Sequence, residues 1–478
     1  MMYENYGQFI NGVWRQGQGA ETIVVTDPGR NETLGEIRGA SQQDTLDAIA
    51  SAQAALPLWQ QRSAWDRASA LHRVAQEMEQ VREQAALIIS LESGKPLAQA
   101  SREWTLAIDQ FTWYAEEARR VYGRIVESRV PGGRCEVSHQ GVGVVAAFTA
   151  WNFPVVLIAR KVAPALAAGC SVVLRPSSEV PGCASLIMTC LQKAAIPAGV
   201  VNMVVGVTAN TYQPLIDSPT VRKVTLTGST AIGQQMIRDS AATIKRLSME
   251  LGGNAPMIVF DDADIEKALD AAVPTKFANC GQVCVTPDRF YVHHSVAETF
   301  IDGFARRAAA IKVGYGQDQG SEMGPLINQR RLNAIEKIVE DARQKGARVV
   351  TGGHRLTDAP GFYFAPTVLA EVPDDALALA EENFGPIAAI TTFSDEAEVL
   401  ERVNRSDYAL SAYAFTRDAA RIRRVSEQLQ AGMVGINSFA LASADVPFGG
   451  IKGSGMGSEG GSEGIFEYMT VKLTQVVL

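Results

Sequence analysis

Hydrophobic and polar positions change their period several times along the chain, and each change marks an element. Residues 7–38 hold short β-branched runs, such as Thr22 to Thr26, between Gly, Asn and Pro turns, which predicts a small strand-rich beginning. From Ser41 the period becomes helical. Leu71, Val74, Met78, Val81, Ile88 and Leu91 recur at three, four or seven, and the pattern stops at Ser93-Gly94. A second helix carries Trp104, Ile108, Phe111 and Ala115 on one face, as core.

After Tyr122 the pattern turns extended, with Cys135, Val137 and His139 alternating with Glu136 and Ser138. The tail from Phe466 to Leu478 alternates as well, at Val471, Leu473 and Val476. Two peripheral ribbons, each with one apolar face, suit pairing with another subunit, so a homodimer or homotetramer is expected. Between them strands and helices alternate: strand 142–149, helix 155–168, strand 171–174, helix 179–194, strands 201–205 and 221–227, then a helix opened by Gly228. A second series begins at Pro256 to Phe260 and repeats the alternation to Ile436. Such alternation predicts an α/β protein with two doubly wound parallel-sheet domains plus a small β domain for oligomerisation. The expected division is a cofactor-binding domain from 1–121 and 141–250, a catalytic domain from 251–437, and an oligomerisation arm and tail at 122–140 and 438–478.

The totals narrow the function. A chain of 478 residues, 46 % apolar and 20 % charged, has ample material for two or three cores. A formal charge of −8 and the lack of any Lys/Arg run argue against nucleic acid and toward a small-molecule partner. Six cysteines are too few for a disulfide scaffold, and with five histidines and no metal-ligand spacing no metal is expected. The first six residues lack the basic and apolar regions of a signal peptide, so a cytoplasmic location is expected. Residues 139–159 carry no charged residue over nearly a bilayer's length, yet Trp151-Asn152-Phe153-Pro154 interrupts them. They read as a buried strand, a turn and a buried helix, with no membrane partner.

Four places carry candidate chemistry. Cys284 falls after a predicted helix (Asp264 to Asn279) and before a strand (Arg289 to His293), in a turn opened by Gly281. A lone cysteine is either a small buried hydrophobe or a nucleophile. The Thr227-Gly228-Ser229-Thr230-Ala231-Ile232-Gly233 turn joins a strand to a helix, and is either a tight connection or a phosphate cradle. Asn152 either ties down its turn or donates to a developing oxyanion. Glu250, heading Glu-Leu-Gly-Gly, either satisfies loop N–H groups or acts as a general base of raised pKa. Each is read at the carboxyl end of a strand or in the turn after it, the edge where open α/β sheets bind ligands.

In this combination the chain resembles the aldehyde dehydrogenases along essentially its whole length. The matching motifs are Trp-Asn-Phe-Pro at 151–154, Gly-Ser-Thr-x-x-Gly at 228–233, Glu-Leu-Gly-Gly at 250–253, Gly-Gln-x-Cys at 281–284, Asn-Phe-Gly-Pro at 383–386 and Pro-Phe-Gly-Gly-x-Lys at 447–452. The resemblance implies that Cys284 attacks an aldehyde while Asn152 and the Cys284 backbone N–H hold the oxyanion. Hydride then passes to NAD or NADP, and Glu250, with Lys161 relaying the proton, activates water against the thioester. It further implies that Trp151, Arg175, Ser178, Gly228, Ser229, Gly233, Glu382 and Phe384 surround the cofactor.

The departures bear on specificity. Arg175 and Ser178 stand where the family usually has Lys and, in members that prefer NAD, often Glu. A retained cation without the carboxylate suits a 2′-phosphate, so NADP is expected to be accepted, unless the next residue, Glu179, compensates. Ile158-Ala159-Arg160-Lys161 and the Ser-Glu-Gly-Gly-Ser-Glu-Gly run at 458–464 are similar to the succinate-semialdehyde dehydrogenase branch, in which two arginines and a serine grip a carboxylate. Arg160 and Ser443 match, and Ala278 replaces the second arginine. An acidic semialdehyde in a looser pocket is expected, with a broad aromatic or aliphatic aldehyde dehydrogenase as the alternative; a structural ion pair is the plain reading of Arg160. Cys280 is read as a packed thiol, with a reversible disulfide to Cys284 as the sharper reading. Acylation of coenzyme A is disfavoured by Glu250, a non-enzymatic protein by the full set of groups, and a cysteine hydrolase by the lack of an orienting acid for His293 or His294.

Overall fold

The computed structural model describes Tyr3 and residues 6–477; most of the opening segment read for a signal peptide, and Leu478, lie outside the described residues. The first α/β sheet has five parallel strands in the order Val201–Met203, Ser171–Arg175, Val144–Phe148, Val221–Thr227 and Arg246–Glu250. Gln8–Ile10 extends one edge and Gly455–Met456 the other, both antiparallel. The chain winds outward from Val144–Phe148 in both directions. The switch point therefore falls between Val144–Phe148 and Val221–Thr227, whose carboxyl ends lead into Trp151-Asn152 and Gly228-Ser229.

The helical region packs over this sheet as four helices, Gln42–Gln60, Ala64–Gln80, Arg82–Ser93 and Leu97–Glu117. The periodic run through Val81 reads as one helix but breaks there, because Val81 leaves helical geometry at φ −115° and ψ 17°. The Trp104 indole donates to the Met78 carbonyl at 2.9 Å, replacing the partner that an unbroken helix would supply. The stop at Ser93-Gly94 is as expected: Gly94 caps the helix at φ 75°.

The second sheet has six parallel strands in the order Thr367–Ala370, Ile387–Phe393, Pro287–His293, Ala255–Val259, Ser411–Phe415 and Met433–Ile436, with Arg348–Thr351 antiparallel at one edge. Strands buried on both faces read as continuous apolar runs, and Ala255–Val259 is buried at every position.

The arm and the tail pair with each other. Met469–Val477 runs antiparallel to Gly133–Gly141, in register from Met469 opposite Gly141 to Val477 opposite Gly133, and Arg124–Glu127 adds the third strand. This ribbon leaves Ile125, Val471 and Leu473 at 73, 67 and 62 % exposure. Residues 139–159 form the end of that arm, the buried strand Val144–Phe148, the turn, and the start of the buried helix Val156–Ala167. No helix among the described residues is long and apolar enough to cross a membrane.

Candidate active site

A cavity of about 670 Å³ opens between the two sheets. On one side lies the carboxyl edge of the first sheet, with Trp151, Asn152, Gly228 and Ser229; on the other lie Cys284, Glu382 and Phe384. The second group departs from the sequence reading. Cys284 precedes Pro287–His293, and Glu382 and Phe384 precede Ile387–Phe393, so the nucleophile stands at the amino edge of the second sheet. The cleft belongs to two sheets facing edge to edge, which no single-sheet rule anticipates.

The Cys284 loop is tightly constrained. The helix Ile265–Phe277, capped by the Asp264 side chain, gives way to three consecutive left-handed residues, Asn279, Cys280 and Gly281, at φ 48, 56 and 70°. A Cβ at Gly281 would strike the Gly385 carbonyl, so glycine is required there on both counts. Cys284 is half-buried and its thiol is pushed up to about 12, first by burial, then by the Glu250 and Glu382 carboxyls, against the pull of Arg160. Cys280 is fully buried in the core of the second sheet, where burial raises its thiol too. Both thiols are free.

Asn152 is fixed from three sides. Its side-chain Nδ2 donates to the Gln282 carbonyl at 3.1 Å, while its own carbonyl accepts from Asn279 Nδ2 at 3.0 Å and from Lys95 Nζ at 2.8 Å. Lys95 is paired at 2.5 Å with Glu103, whose other oxygen accepts from the backbone N–H of Val155 at 2.9 Å. The plain role of Asn152, tying down the turn, is thus realised, and one amide N–H is left to face the cavity. Lys95, Glu103 and Asn279 were not legible in the sequence, because nothing near them in the chain marks their partners.

Glu250 ends its strand opposite Thr227 and is buried with both carboxylate oxygens unpartnered. Burial, then the neighbouring Glu459, raises its pKa well above the usual range, while Lys161 and Arg160 pull the other way. Lys161 does not touch Glu250 directly. Its Nζ is ion-paired with Glu459 and donates to Thr225 Oγ1 at 3.3 Å. In the sequence Glu459 is one member of a Gly/Ser-rich motif; burial and pairing single it out.

The residues expected around the cofactor divide. Trp151 and Phe384 meet edge to face across the cavity at 5.5 Å. Arg175 lines it, held by Gly206 O at 3.2 Å, and Glu382 accepts from the Gly253 N–H at 2.8 Å, with a carboxyl raised to about 7 chiefly by burial. Ser229 caps the helix Thr230–Ser240 without spending its side chain on the cap. Gly233 and Ser178 do not line the cavity. A Cβ at Gly233 would collide with the Leu251 side chain, so that glycine serves helix packing instead. Ser177 lines the wall beside Ser178, and Glu179 accepts from Asn328 Nδ2 at 3.0 Å, away from the cavity. Arg331, missed in the sequence, lines it too and donates to the carbonyls of Asn383 at 2.6 Å and Phe384 at 3.1 Å, bracing Phe384 at φ 47°.

At the far end Arg160 is 4 % exposed, with its guanidinium 4.1 Å from the Phe448 ring centroid and Nη2 donating to Ala442 O at 3.4 Å. Its Nε has no partner, and among the described residues no carboxylate pairs with it, so the structural ion pair is not realised. Ser443 is exposed and stands beside Asp445, whose carboxyl pKa it lowers; Ala442 takes its place on the wall. Ala442, Phe448 and Glu459 come from the tail segment, which therefore contributes to the site as well as to the ribbon.

A thiol between an amide donor and a buried carboxyl, facing a cleft with a free helix N-terminus, defines an enzyme that forms a covalent acyl adduct beside a dinucleotide. The match to the aldehyde dehydrogenase family model spans residues 14–474, and the chain belongs to that family. It is 41 % identical over 464 residues to a glutarate-semialdehyde dehydrogenase of Pseudomonas putida, covering 97 % of this chain and 96 % of that one. It is 42 % identical over 463 residues to a succinate-semialdehyde dehydrogenase of Escherichia coli whose name specifies NADP(+), again covering 97 % and 96 %. A crystal structure of an E. coli NADP-dependent enzyme superposes with a TM-score of 0.98 at 40 % identity, covering 100 % of this chain and 99 % of that one.

Proposed function

We propose that the protein oxidises an aldehyde carrying a carboxylate, a semialdehyde such as that of succinate or glutarate, to the free acid with NAD or NADP. The observation that carries the substrate class is Arg160: a buried guanidinium, paired with no carboxylate among the described residues, on the wall of the cavity that holds Cys284. A charge buried so deeply requires a partner, and a substrate carboxylate supplies one.

Cys284 adds through sulfur to the aldehyde carbon as its proton leaves, and Glu250 is the nearby base of raised pKa. Asn152 Nδ2 and the Cys284 N–H hold the oxygen as it gains charge. A bound nicotinamide would supply the hydride acceptor; Trp151 and Phe384 would wall its end of the cleft, and Glu382 would hold the adjoining ribose. The resulting thioester is cleaved by water that Glu250 deprotonates, with Lys161 acting through Glu459. The cleft fits a dinucleotide on its own features: a helix N-terminus whose Ser229 hydroxyl is not spent on the cap, a lining cation at Arg175, and the glycine approach at Gly228. With the Arg175 cation on the cavity wall and Glu179 engaged by Asn328 away from it, NADP is accepted as well as NAD.

Residues 1–121 and 141–250 serve the cofactor, 251–437 carries the nucleophile, and 122–140 with 438–478 forms the oligomerisation arm and tail. The exposed apolar row on the ribbon supports a dimer or tetramer. The free thiols suit a reducing cytoplasm. The test is the initial rate of reduced-cofactor formation with succinic and glutaric semialdehydes, an alkanal and benzaldehyde, each with NAD and NADP. Preference for the acids, lost in Arg160→Ala, is expected; equal loss on neutral and acidic aldehydes would overturn the carboxylate assignment.

A further inference from the structure

The mechanism leaves one buried charge cluster unused. Lys223 lies in the middle of a sheet strand with no exposed surface. Its Nζ donates to Ser248 Oγ at 2.5 Å, Ser248 Oγ donates to Glu467 Oε2 at 2.8 Å, and Lys223 and Glu467 are 3.5 Å apart. Glu467 has 26 % of its side chain exposed, so the cluster reaches water at that end.

Its other end reaches the active site through the pleat. Lys223 and Thr225 share a strand face two residues apart, as do Ser248 and Glu250 on the neighbouring strand. The register sets Thr225 beside Ser248 and Thr227 beside Glu250, so all these side chains stand on one face of two paired strands. Lys161 donates to Thr225 from the helix above and is paired with Glu459 next to Glu250. Tyr468 closes the column, with its ring centroid 5.0 Å from Lys223 Nζ. Burying Lys223 is costly, and a leucine would pack the same space without that cost. Its ammonium is lowered to about 8, first by burial, then held up by Glu467 against Arg246 and Lys161, so it exchanges protons near neutrality.

We propose that Thr225, Ser248, Lys223 and Glu467 form a proton exit from the active site, carrying the hydrolytic proton from the Glu250–Glu459–Lys161 group to solvent at Glu467. Thioester, water and base give carboxylate, thiol and one proton in excess. Glu250 takes one proton from water as its oxygen bonds to the acyl carbon and the C–S bond breaks. The second water proton returns to sulfur, and the proton on Glu250 must leave before the next turnover. The inference rests on Glu250 being the base proposed above.

The test uses p-nitrophenyl acetate, which acylates Cys284 without cofactor. The nitrophenolate burst reports acylation, and the steady state reports hydrolysis of the acetyl-enzyme. Lys223→Met and Glu467→Gln are expected to keep the burst while slowing the steady state about 10²-fold in dilute buffer, the lower end of what one assisted proton transfer contributes. Imidazole, entering by the open cleft, is expected to restore it. An unchanged steady state in both variants, or a loss that imidazole does not restore, overturns the exit. Should Lys223→Met not fold, Glu467→Gln at the exposed end and Ser248→Ala decide alone. If Glu250→Gln hydrolyses its acetyl-enzyme at the wild-type rate, the base assignment itself falls, and the exit with it.

Discussion

Lys161 and Glu459 form a fully buried ion pair beside Glu250, joining the helix Val156–Ala167 to the tail. The pair works on Glu250 through charge: Glu459 raises its pKa and Lys161 lowers it. Replacing Glu459 with Gln removes the raising charge and frees the lowering one, so both changes lower the Glu250 pKa. The base is then ionised at lower pH, and the acid limb of the hydrolysis rate profile is expected to move down in pH. Removing one partner of so buried a pair also costs about 3–5 kcal/mol of stability. A pH profile of acyl-enzyme hydrolysis, measured beside a denaturant titration, checks both; an acid limb that stays or rises contradicts the assignment.

The oxyanion donor admits a graded test. Asn152→Ala removes the amide itself and is expected to lower kcat by about 10²–10³-fold. Asn279→Ala leaves that amide in place and removes bonds to the Asn152 and Gln282 carbonyls, so its effect on kcat should be smaller by at least about tenfold. Equal losses in the two variants would mean that Asn152 acts by holding the loop and not by donating to substrate. Rapid-quench measurement of the acylation step separates these outcomes.

Local chemistry was legible in the sequence and partnership was not. The strands, the helix stop at Ser93-Gly94, and the candidate groups at 152, 250 and 284 follow from period, turn residues and motif, all read within a few positions. What escaped depends on residues far apart in the chain: Glu103 beneath Asn152, Arg331 behind Phe384, and Glu459 against Lys161. The break at Val81 belongs with these, because it is tolerated through an indole 26 positions from the Met78 carbonyl it satisfies. Ser178, Gly233 and Ser443 show the opposite error. A motif fixes where such residues fall in the chain, while the direction of one side chain in the fold decides whether they touch the site.

Gly233 offers a stability test of that distinction. With Leu251 against it, Gly233→Ala overpacks the helix–strand contact and is expected to destabilise by about 1–3 kcal/mol. Leu251→Ala should reopen the space, making the double variant more stable than the sum of the two single changes allows. Thermal unfolding of the four proteins gives the coupling. Additive losses would mean that Gly233 is needed for its backbone near the cofactor and not for its size.

The Cys284 thiol supplies the last prediction. Burial and two carboxyls hold it in the neutral form, and Arg160 is the charge that opposes them. Only the thiolate is alkylated, so the rate with iodoacetamide should rise with pH throughout the range 6 to 9, about tenfold per unit while the thiolate is scarce. Arg160→Met removes the favourable charge and should raise the thiol pKa further, lowering the alkylation rate at every pH in that range without changing the slope. Succinate at millimolar concentration, taken up by the same guanidinium, should slow alkylation of the wild type and leave Arg160→Met unaffected. A variant that reacts as fast as the wild type would show that Arg160 does not reach Cys284 electrostatically. Protection by succinate that survives the substitution would place the carboxylate site elsewhere in the cleft.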